Sequence, residues 1–289
     1  MDGQPRITDL VPRRNTAFAA IFAAGLAAIA ALEVLYLAMP ALAPMTTDGR
    51  VASFDLDSEG SLAVWFSCGT LELAALTALL IYGIRRHTPG TSRRGQRLWL
   101  WAAACWLVMS LDECGSVHEA FKELMSKTTG HRLMGDGTIW WVAAYALVLG
   151  VVGLRLLWTM RRCTGAVAAL FATSFAYAVA VLAELTWILP RQGTPGVMLE
   201  EGCEMLGNLF LLLSLGLFAR HAARAAEAVL PRANESPANR SHWRRQRTPR
   251  LRSNPAARVG RQPSLALTAT ALDNGIAAGA AGHRGVAGR

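Results

Sequence analysis

The stretch "AFAAIFAAGLAAIAALEVLYLAM", residues 17–39, is an apolar run in which Glu33 is the single charged residue. A helix needs roughly 20 such residues to cross the hydrocarbon core of a bilayer, which is about 30 Å thick. Residues 17–39 are therefore predicted to form a membrane-spanning helix. Similar runs recur along the chain, so this pattern decides the fold class.

Further membrane spans are predicted at residues 61–84, 97–119, 138–160, 164–189 and 197–219. The composition agrees, because only 17% of the residues are charged, fewer than in a typical soluble domain. We predict an all-α fold, a polytopic membrane bundle of about six transmembrane helices. The predicted divisions are a cytoplasmic N-terminal segment (1–16), the helical domain (17–219) and an Arg- and Ala-rich cytoplasmic tail (220–289), which is expected to be disordered.

The first span also has features of a signal peptide, since "ALAPM" at residues 41–45 offers small residues at a cleavage position. We expect an uncleaved anchor, because the apolar stretch is longer than the usual core of a signal peptide and contains Glu33. Cleavage would leave five spans with the same orientation.

Lysine and arginine are divided unevenly between the two sides of the predicted spans. Of the 29 such residues, 24 lie in the N-terminal segment, in the connections after the second and fourth spans, and in the tail. The positive-inside rule then places both termini in the cytoplasm. An even number of spans follows, and we predict a location in the bacterial inner membrane.

The acidic residues gather on the opposite side. Only five of the twenty lie in the segments predicted to be cytoplasmic. With a helical rise of about 1.5 Å per residue, those of the third, fifth and sixth spans lie near the extracytoplasmic ends. An ionised side chain at the bilayer centre costs roughly 3 kcal/mol, so this convergence is informative. We infer an acidic cavity that opens to the extracytoplasmic side.

The third and sixth spans supply the candidate site. Asp112, Ser116 and Glu119 are spaced to share one helical face, whereas Glu113 and His118 point away unless Gly115 loosens that turn. The candidate metal ligands are Asp112, Glu113, His118, Glu119, Glu200, Glu201 and Glu204. The residues expected to support them are Asp57, Glu59, Glu72, Glu184 and Asn208.

Three interpretations of this cluster stay open. Carboxylates with one histidine are ligands of Fe, Mn or Zn, which favours a metal site that acts on a lipid or a periplasmic small molecule, with His118 as a general base. Buried carboxylates are also typical of cation- or proton-coupled transporters. The third interpretation is structural, because the helix dipole favours acids at a helix N-terminus. It accounts for Glu200 and Glu201, but not for Asp112 and Glu119 at a helix C-terminus.

Two cysteines and several tryptophans lie close to the acidic motifs. Disulfides are permitted in an extracytoplasmic compartment, but we expect Cys114 and Cys203 to be small packing residues. Trp140 and Trp141 lie near a span end, and we expect them to belong to an interfacial aromatic belt without a chemical role.

The expected partner of the chain is the lipid bilayer. The basic run "SHWRRQRTPRLRS", residues 241–253, is a candidate for contact with anionic lipid headgroups. Nucleic acid is not an expected partner, because one tryptophan among arginines is a weak signal. The sequence makes no prediction of the oligomeric state.

Three motifs occur in order along the chain: "LDSEGSLAVWFS" (56–67), "SLDECGSVHE" (110–119) and "EEGCEMLG" (200–207). In this respect the chain resembles a set of bacterial integral membrane proteins of unassigned function with the patterns LDxEGxxxxWFS, SLDExxxxHE and EExxEMxG. The resemblance covers about residues 54–208. It implies that the acidic and histidine residues of the three motifs belong to one site, and it implies no reaction.

The predicted orientation can be tested with reporter fusions. A reporter fused after Arg50 or after Arg191 should report an extracytoplasmic location, because both residues lie in connections with few basic residues. Alkaline phosphatase and a fluorescent protein, each fused at both positions, provide complementary signals, and a fusion at Arg86 is the control with the opposite expectation. A cytoplasmic signal at Arg50 or Arg191 would contradict the orientation.

Overall fold

The computed structural model describes residues 7–47, 51–133, 135–189 and 193–234. Within these residues the chain is all-helical and contains no β-strand. Besides short 3-10 turns, the described residues form α1 (Asn15–Leu42), α2 (Leu62–Arg86), α3 (Arg93–Gly115), α4 (Val117–Thr129), α5 (Ile139–Met160), α6 (Thr164–Glu184) and α7 (Thr194–Asn234).

The long helices form a polytopic membrane bundle, as the sequence predicts. Five of them, α1, α2, α5, α6 and α7, are long and apolar enough to cross a membrane. The sixth, α3, has a suitable length but is less apolar, because it begins with arginines and ends with Asp112 and Glu113. It nevertheless packs among the apolar helices, mainly against α2.

The predicted continuous helix over residues 97–119 is wrong. The third span ends at Gly115, and Ser116 adopts a left-handed conformation with φ 48°. The short amphipathic helix α4 then begins at Val117. Because the helix is broken between them, Asp112 and Glu119 do not share the face that their spacing predicts.

The last two predicted spans also have different bounds in the structure. The fifth predicted span extends to residue 189, whereas α6 ends at Glu184 and Thr186 follows with φ 58°. The sixth is predicted to end at 219, whereas α7 continues to Asn234. The tail is predicted to be disordered over residues 220–289. This is wrong for residues 220–234, which belong to α7, and the rest of the tail lies outside the described residues.

Helix α7 lies at the centre of the bundle and packs against α6, α2 and α1. Its inward face carries Leu211 and Leu215, which are fully buried. Phe218, one turn further on, stacks on Trp99 of α3 with ring centroids 5.0 Å apart. The Ser214 hydroxyl donates to the carbonyl oxygen of Ala166 at 2.7 Å and thereby joins α7 to α6.

The two ends of the bundle differ in charge. The end at which α3 finishes and α7 begins carries most of the carboxylates, and we call it the acidic end. The opposite end, at which α2 and α5 finish and α3 begins, carries Arg85, Arg86, Arg93, Arg94, Arg97, Arg161 and Arg162, and we call it the arginine end. This polarity follows from the alternating direction of the helices.

Glycines bring α1 close to α7. A Cβ atom at Gly25 would lie 2.6 Å from Cδ1 of Leu209, and one at Gly216 would lie 2.8 Å from Cε1 of Phe18. Both separations are shorter than van der Waals contact. Small residues that permit such an approach drive helix association in membranes, because the lipid supplies no hydrophobic force between helices.

Replacing Gly25 by leucine should therefore weaken the contact between α1 and α7. Overpacking a close contact costs about 1–3 kcal/mol, so Gly25→Leu should lower the temperature at which the detergent-solubilised protein loses its monodisperse elution peak. The matched control is Gly150→Leu in α5, where a Cβ would meet no atom within 4 Å. Equal thermal stability of the two variants would contradict this account of the packing.

Candidate functional site

A cavity of about 250 Å³ lies at the acidic end, and we call it the acidic cavity. All seven residues that the sequence predicts as metal ligands line it: Asp112, Glu113, His118, Glu119, Glu200, Glu201 and Glu204. Three of the five predicted supporting residues do so as well: Asp57, Glu59 and Glu184. The loop before α2 therefore joins the ends of α3, α4, α6 and α7 at one site.

Two predicted supporting residues lie elsewhere. Glu72 is exposed on the outer face of α2, on the same turn as the exposed Leu73 and Leu76. Asn208 is fully buried one turn beyond Glu204, and its Oδ1 accepts a hydrogen bond from the Tyr177 hydroxyl. Neither residue lines the acidic cavity.

Asp112 is bound by residues of two other helices, α4 and α5. Its Oδ1 accepts a hydrogen bond from the backbone N–H of His118 at 2.6 Å, and its Oδ2 accepts one from the hydroxyl of Tyr145. Ser116, the residue before α4, makes no capping hydrogen bond with its own side chain. Asp112 thus supplies the acceptor that the first turn of α4 requires.

This contact changes the electrostatic setting of Asp112. At the C-terminus of a continuous helix the dipole would disfavour its negative charge. The break at Ser116 instead directs the N-terminal, positive end of α4 at the carboxylate, which favours the charge. The fold therefore gives Asp112 a structural role, as the cap of α4, that its position in the sequence does not indicate.

His118 faces Asp112 with its side chain as well as its backbone. Its Nδ1 lies 3.2 Å from Oδ1 of Asp112, and its Nε2 lies 3.9 Å from Oε1 of Glu119. Burial alone would lower the pKa of His118, but the hydrogen bond and negative charge of Asp112 outweigh burial and raise it. A raised pKa keeps His118 protonated at higher pH, and its role as a general base stays a hypothesis.

Glu113 of α3 and Glu204 of α7 both line the acidic cavity, where their carboxyl groups interact electrostatically. Two ionised carboxylates at close range repel each other, and a shared proton or a bound cation would relieve that repulsion. The pair is thus a candidate site for proton exchange between two spans. Close to this pair, the Tyr177 ring of α6 approaches Gly207 of α7.

Lys122 fixes α4 to the loop that follows it. Its Nζ lies 2.6 Å from Oε2 of Glu119 and 3.2 Å from Oδ2 of Asp136. Burial alone would raise the pKa of Asp136, but hydrogen bonds from Thr138 and Lys122 and the charge of Lys122 lower it to about 2. Because the pKa of Asp136 is lower in the folded state than in the unfolded state, its ionised carboxylate stabilises the fold at neutral pH. This stabilisation is lost as the pH falls towards 2.

Helix α5 supplies two residues that the sequence analysis does not assign to the site. Tyr145 and Trp141 both line the acidic cavity. Their rings form an edge-to-face pair with centroids 5.8 Å apart, and the Trp141 ring lies 5.2 Å from that of His118. The sequence signal for Tyr145 is its hydroxyl in the middle of an apolar span, since a buried hydroxyl requires a partner.

A disulfide joins Cys68 of α2 to Cys114 of α3. The expectation that Cys114 is only a packing residue is therefore wrong. Cys203 is a free cysteine, as expected for a packing residue. The hydroxyl of Ser110 donates to the carbonyl oxygen of Cys68 at 3.1 Å, so a second contact holds the two helices together beside the disulfide.

The described residues do not present an assembled metal site. Among them, no group of three or more His, Cys, Asp and Glu side chains is arranged so that it could hold a metal ion. His118 and Asp112 are paired with each other, and Glu119 is paired with Lys122. The Fe, Mn or Zn site therefore stays a prediction, and its ligands would have to rearrange around an ion.

A family model described as a domain of unknown function, DUF8692, matches residues 18–218. The chain belongs to this family. The matched region of the DUF8692 domain extends from α1 into α7 and includes every residue that lines the acidic cavity. No match was found among curated proteins or among solved structures.

The disulfide predicts the number of reactive thiols in the oxidised protein. Three of the five cysteines are free, namely Cys105, Cys163 and Cys203. Protein denatured without a reductant should therefore take up three maleimide groups by intact mass, and reduced protein should take up five. The variant Cys114→Ser should take up four under both conditions. Labelling of five cysteines without a reductant would contradict the assignment.

Proposed function

We propose that the chain is an integral protein of the bacterial inner membrane whose acidic cavity binds a cation from the extracytoplasmic side. The observation that carries the proposal is the charge of the cavity wall. Nine carboxyl groups line the acidic cavity, and none of the described residues that line it is Lys or Arg. His118 is the one lining residue that can become cationic.

The energetic argument rests on how these carboxyl groups can be neutralised. Carboxylates packed together and removed from water repel one another, so they must hold protons or bind a cation. Lys122, which does not line the cavity, compensates Glu119 of the wall and Asp136 of the following loop, and His118 compensates Asp112. A cation bound in the cavity, or protons on its carboxyl groups, would reduce the repulsion among the carboxylates of the wall.

A divalent metal ion is the cation that this wall favours. Carboxylate oxygens are hard ligands, which suit Mn²⁺, Mg²⁺ and Ca²⁺ better than a soft-ligand ion. Glu200, Glu201 and Glu204 on the first turns of α7 have flexible side chains that could turn towards one ion. Of the three metals suggested by the sequence, Mn²⁺ therefore has the strongest support, and Zn²⁺ has the weakest.

The distribution of charge and cysteine supports the proposed orientation. Arginines dominate the end opposite to the acidic cavity, which the positive-inside rule assigns to the cytoplasm. Cys114, at the acidic end, is disulfide-bonded, and disulfides persist in the bacterial periplasm rather than in the cytosol. Both features favour a cavity that opens to the extracytoplasmic side.

Proton exchange is the second candidate function, and the Glu113–Glu204 pair favours it. The two carboxyl groups interact with each other between α3 and α7, so a proton shared by them would relieve their repulsion. Carboxylates buried in this way recur in proton-coupled carriers. Cation binding and proton release would then be linked, because a bound cation displaces the shared proton.

Calorimetric titration of the purified full-length protein with Mn²⁺ tests the proposal. Wild type should bind in a saturable way, and Glu201→Gln and Glu204→Gln should each bind roughly tenfold more weakly, because each removes a negative charge from the wall. The matched control is Glu72→Gln, which removes a carboxylate that does not line the cavity.

The outcomes separate the two candidates. If Mn²⁺, Mg²⁺, Ca²⁺, Fe²⁺ and Zn²⁺ all fail to bind, or if Glu72→Gln weakens binding as much as the cavity variants do, the cation site is wrong. Proton release during the titration, measured as a dependence of the heat on the ionisation enthalpy of the buffer, would support exchange at Glu113 and Glu204.

A further inference from the structure

A second cavity, of about 410 Å³, lies at the arginine end, and we call it the basic cavity. Helices α2, α5 and α7 and the first turn of α3 line it. Three arginines, Arg85, Arg161 and Arg162, and one histidine, His221, contribute to its wall. None of the described residues that line it is Asp or Glu.

Arg85 has a donor that the described part of the protein leaves without a partner. It is partly buried in the last turn of α2, and its Nε is buried without a hydrogen-bond partner among the described residues. A guanidinium offers five N–H donors and no acceptor. Burying such a donor without an acceptor costs free energy, so the position indicates an acceptor that comes from outside the chain.

The end of α3 beside Arg85 also carries positive charge, so it does not neutralise the guanidinium. A Cβ at Gly95 would lie 3.5 Å from Nη2 of Arg85, so the guanidinium lies against the first turn of α3. The N-terminus of a helix carries a partial positive charge and is a common binding position for phosphate groups. The N–H of Gly95 already donates to the Ser92 hydroxyl at 3.2 Å, so Arg85 supplies the donor to this space and the end of α3 adds partial positive charge.

A purely structural account explains only part of this arrangement. Arginines are common at the cytoplasmic ends of spans, and the dipole favours them near a helix C-terminus. That accounts for the presence of Arg85, Arg161 and Arg162 at this end of the bundle. It does not account for a cavity between them or for the buried, unpartnered Nε of Arg85.

We propose that the basic cavity binds the phosphate group of an anionic membrane lipid. Arg85 would donate to the phosphate oxygens, and Arg162 and the positive end of α3 would complement their charge. Trp158 supports a lipid in preference to a free anion. It lines the cavity, is 71% exposed on the outer face of the bundle, and has the Arg161 guanidinium 4.5 Å from its ring centroid. An acyl chain and a phosphate can thus be contacted together.

Basic pockets between transmembrane helices on the cytoplasmic side are suited to acidic headgroups in general. This site is distinct from the basic run in residues 241–253, which lies outside the described residues. It is also independent of the acidic cavity, since no residue lines both. The two proposals can therefore succeed or fail separately.

Native mass spectrometry of the full-length protein in micelles that contain phosphatidylglycerol or phosphatidylcholine tests the proposal. Wild type should retain one phosphatidylglycerol in preference to phosphatidylcholine. Arg85→Gln should weaken that retention by roughly tenfold, which is the effect of losing one charge-assisted hydrogen bond. The matched control is Arg86→Gln, which removes the neighbouring, exposed arginine that does not line the cavity.

A second variant and a competition with inorganic phosphate complete the experiment. Arg162→Gln changes an exposed residue and serves as the second variant if Arg85→Gln does not fold. All variants keep the basic tail, so binding to the tail would give equal retention in every variant and would overturn the proposal. Inorganic phosphate that displaces the lipid only at high concentration agrees with the proposal. Inorganic phosphate that binds as tightly as the lipid would overturn the lipid assignment in favour of a free anion.

Discussion

The hydrogen bond from the His118 backbone N–H to Asp112 determines how the acidic end is built. It allows the chain to leave the third span at Ser116 and to start α4 at once, with a carboxylate of one helix as the cap of the next. The same carboxylate accepts the Tyr145 hydroxyl and so ties α5 to α3. Without this acceptor, the first turn of α4 and the tyrosine would both lose a partner.

The opposite charges of the two ends give the bundle an electrostatic polarity. Each end holds a cavity with one sign of charge, and the apolar centre of the bundle separates them. Fully buried side chains such as Leu211, Leu215 and Leu156 fill that centre. At each end, charged groups of one sign lie close together and repel one another. A ligand of opposite charge would reduce this repulsion, and both proposals rest on that shared constraint.

The sequence was sufficient to predict the bundle and most members of the acidic cavity. Apolar length and the distribution of arginine depend on the order of residues alone, so they place Glu113 and Glu204 at one level without any coordinates. The break at Ser116 was not predictable in the same way. Its left-handed conformation is uncommon for serine and is held by the contact between Asp112 and His118, which joins residues on either side of it.

Sequence patterns could not predict which side chains of different helices contact one another. The role of Tyr145 depends on how α5 packs against α3, and the pairing of Cys68 with Cys114 depends on how α2 packs against α3. Helical periodicity describes one helix at a time and carries no information about its neighbours. Glu72 shows the same limit, because it was predicted to support the site, whereas the packing of α2 leaves it exposed on the outer face.

The disulfide has a consequence for the order of assembly. Cys68 and Cys114 are separated by 46 residues, and α5, α6 and α7 all follow them in the chain. During synthesis from the N-terminus, the α2–α3 hairpin is complete before the later helices exist. A covalent link formed at that stage would fix one wall of the acidic cavity early, and α7 would then insert its glutamates against a template that is already in place.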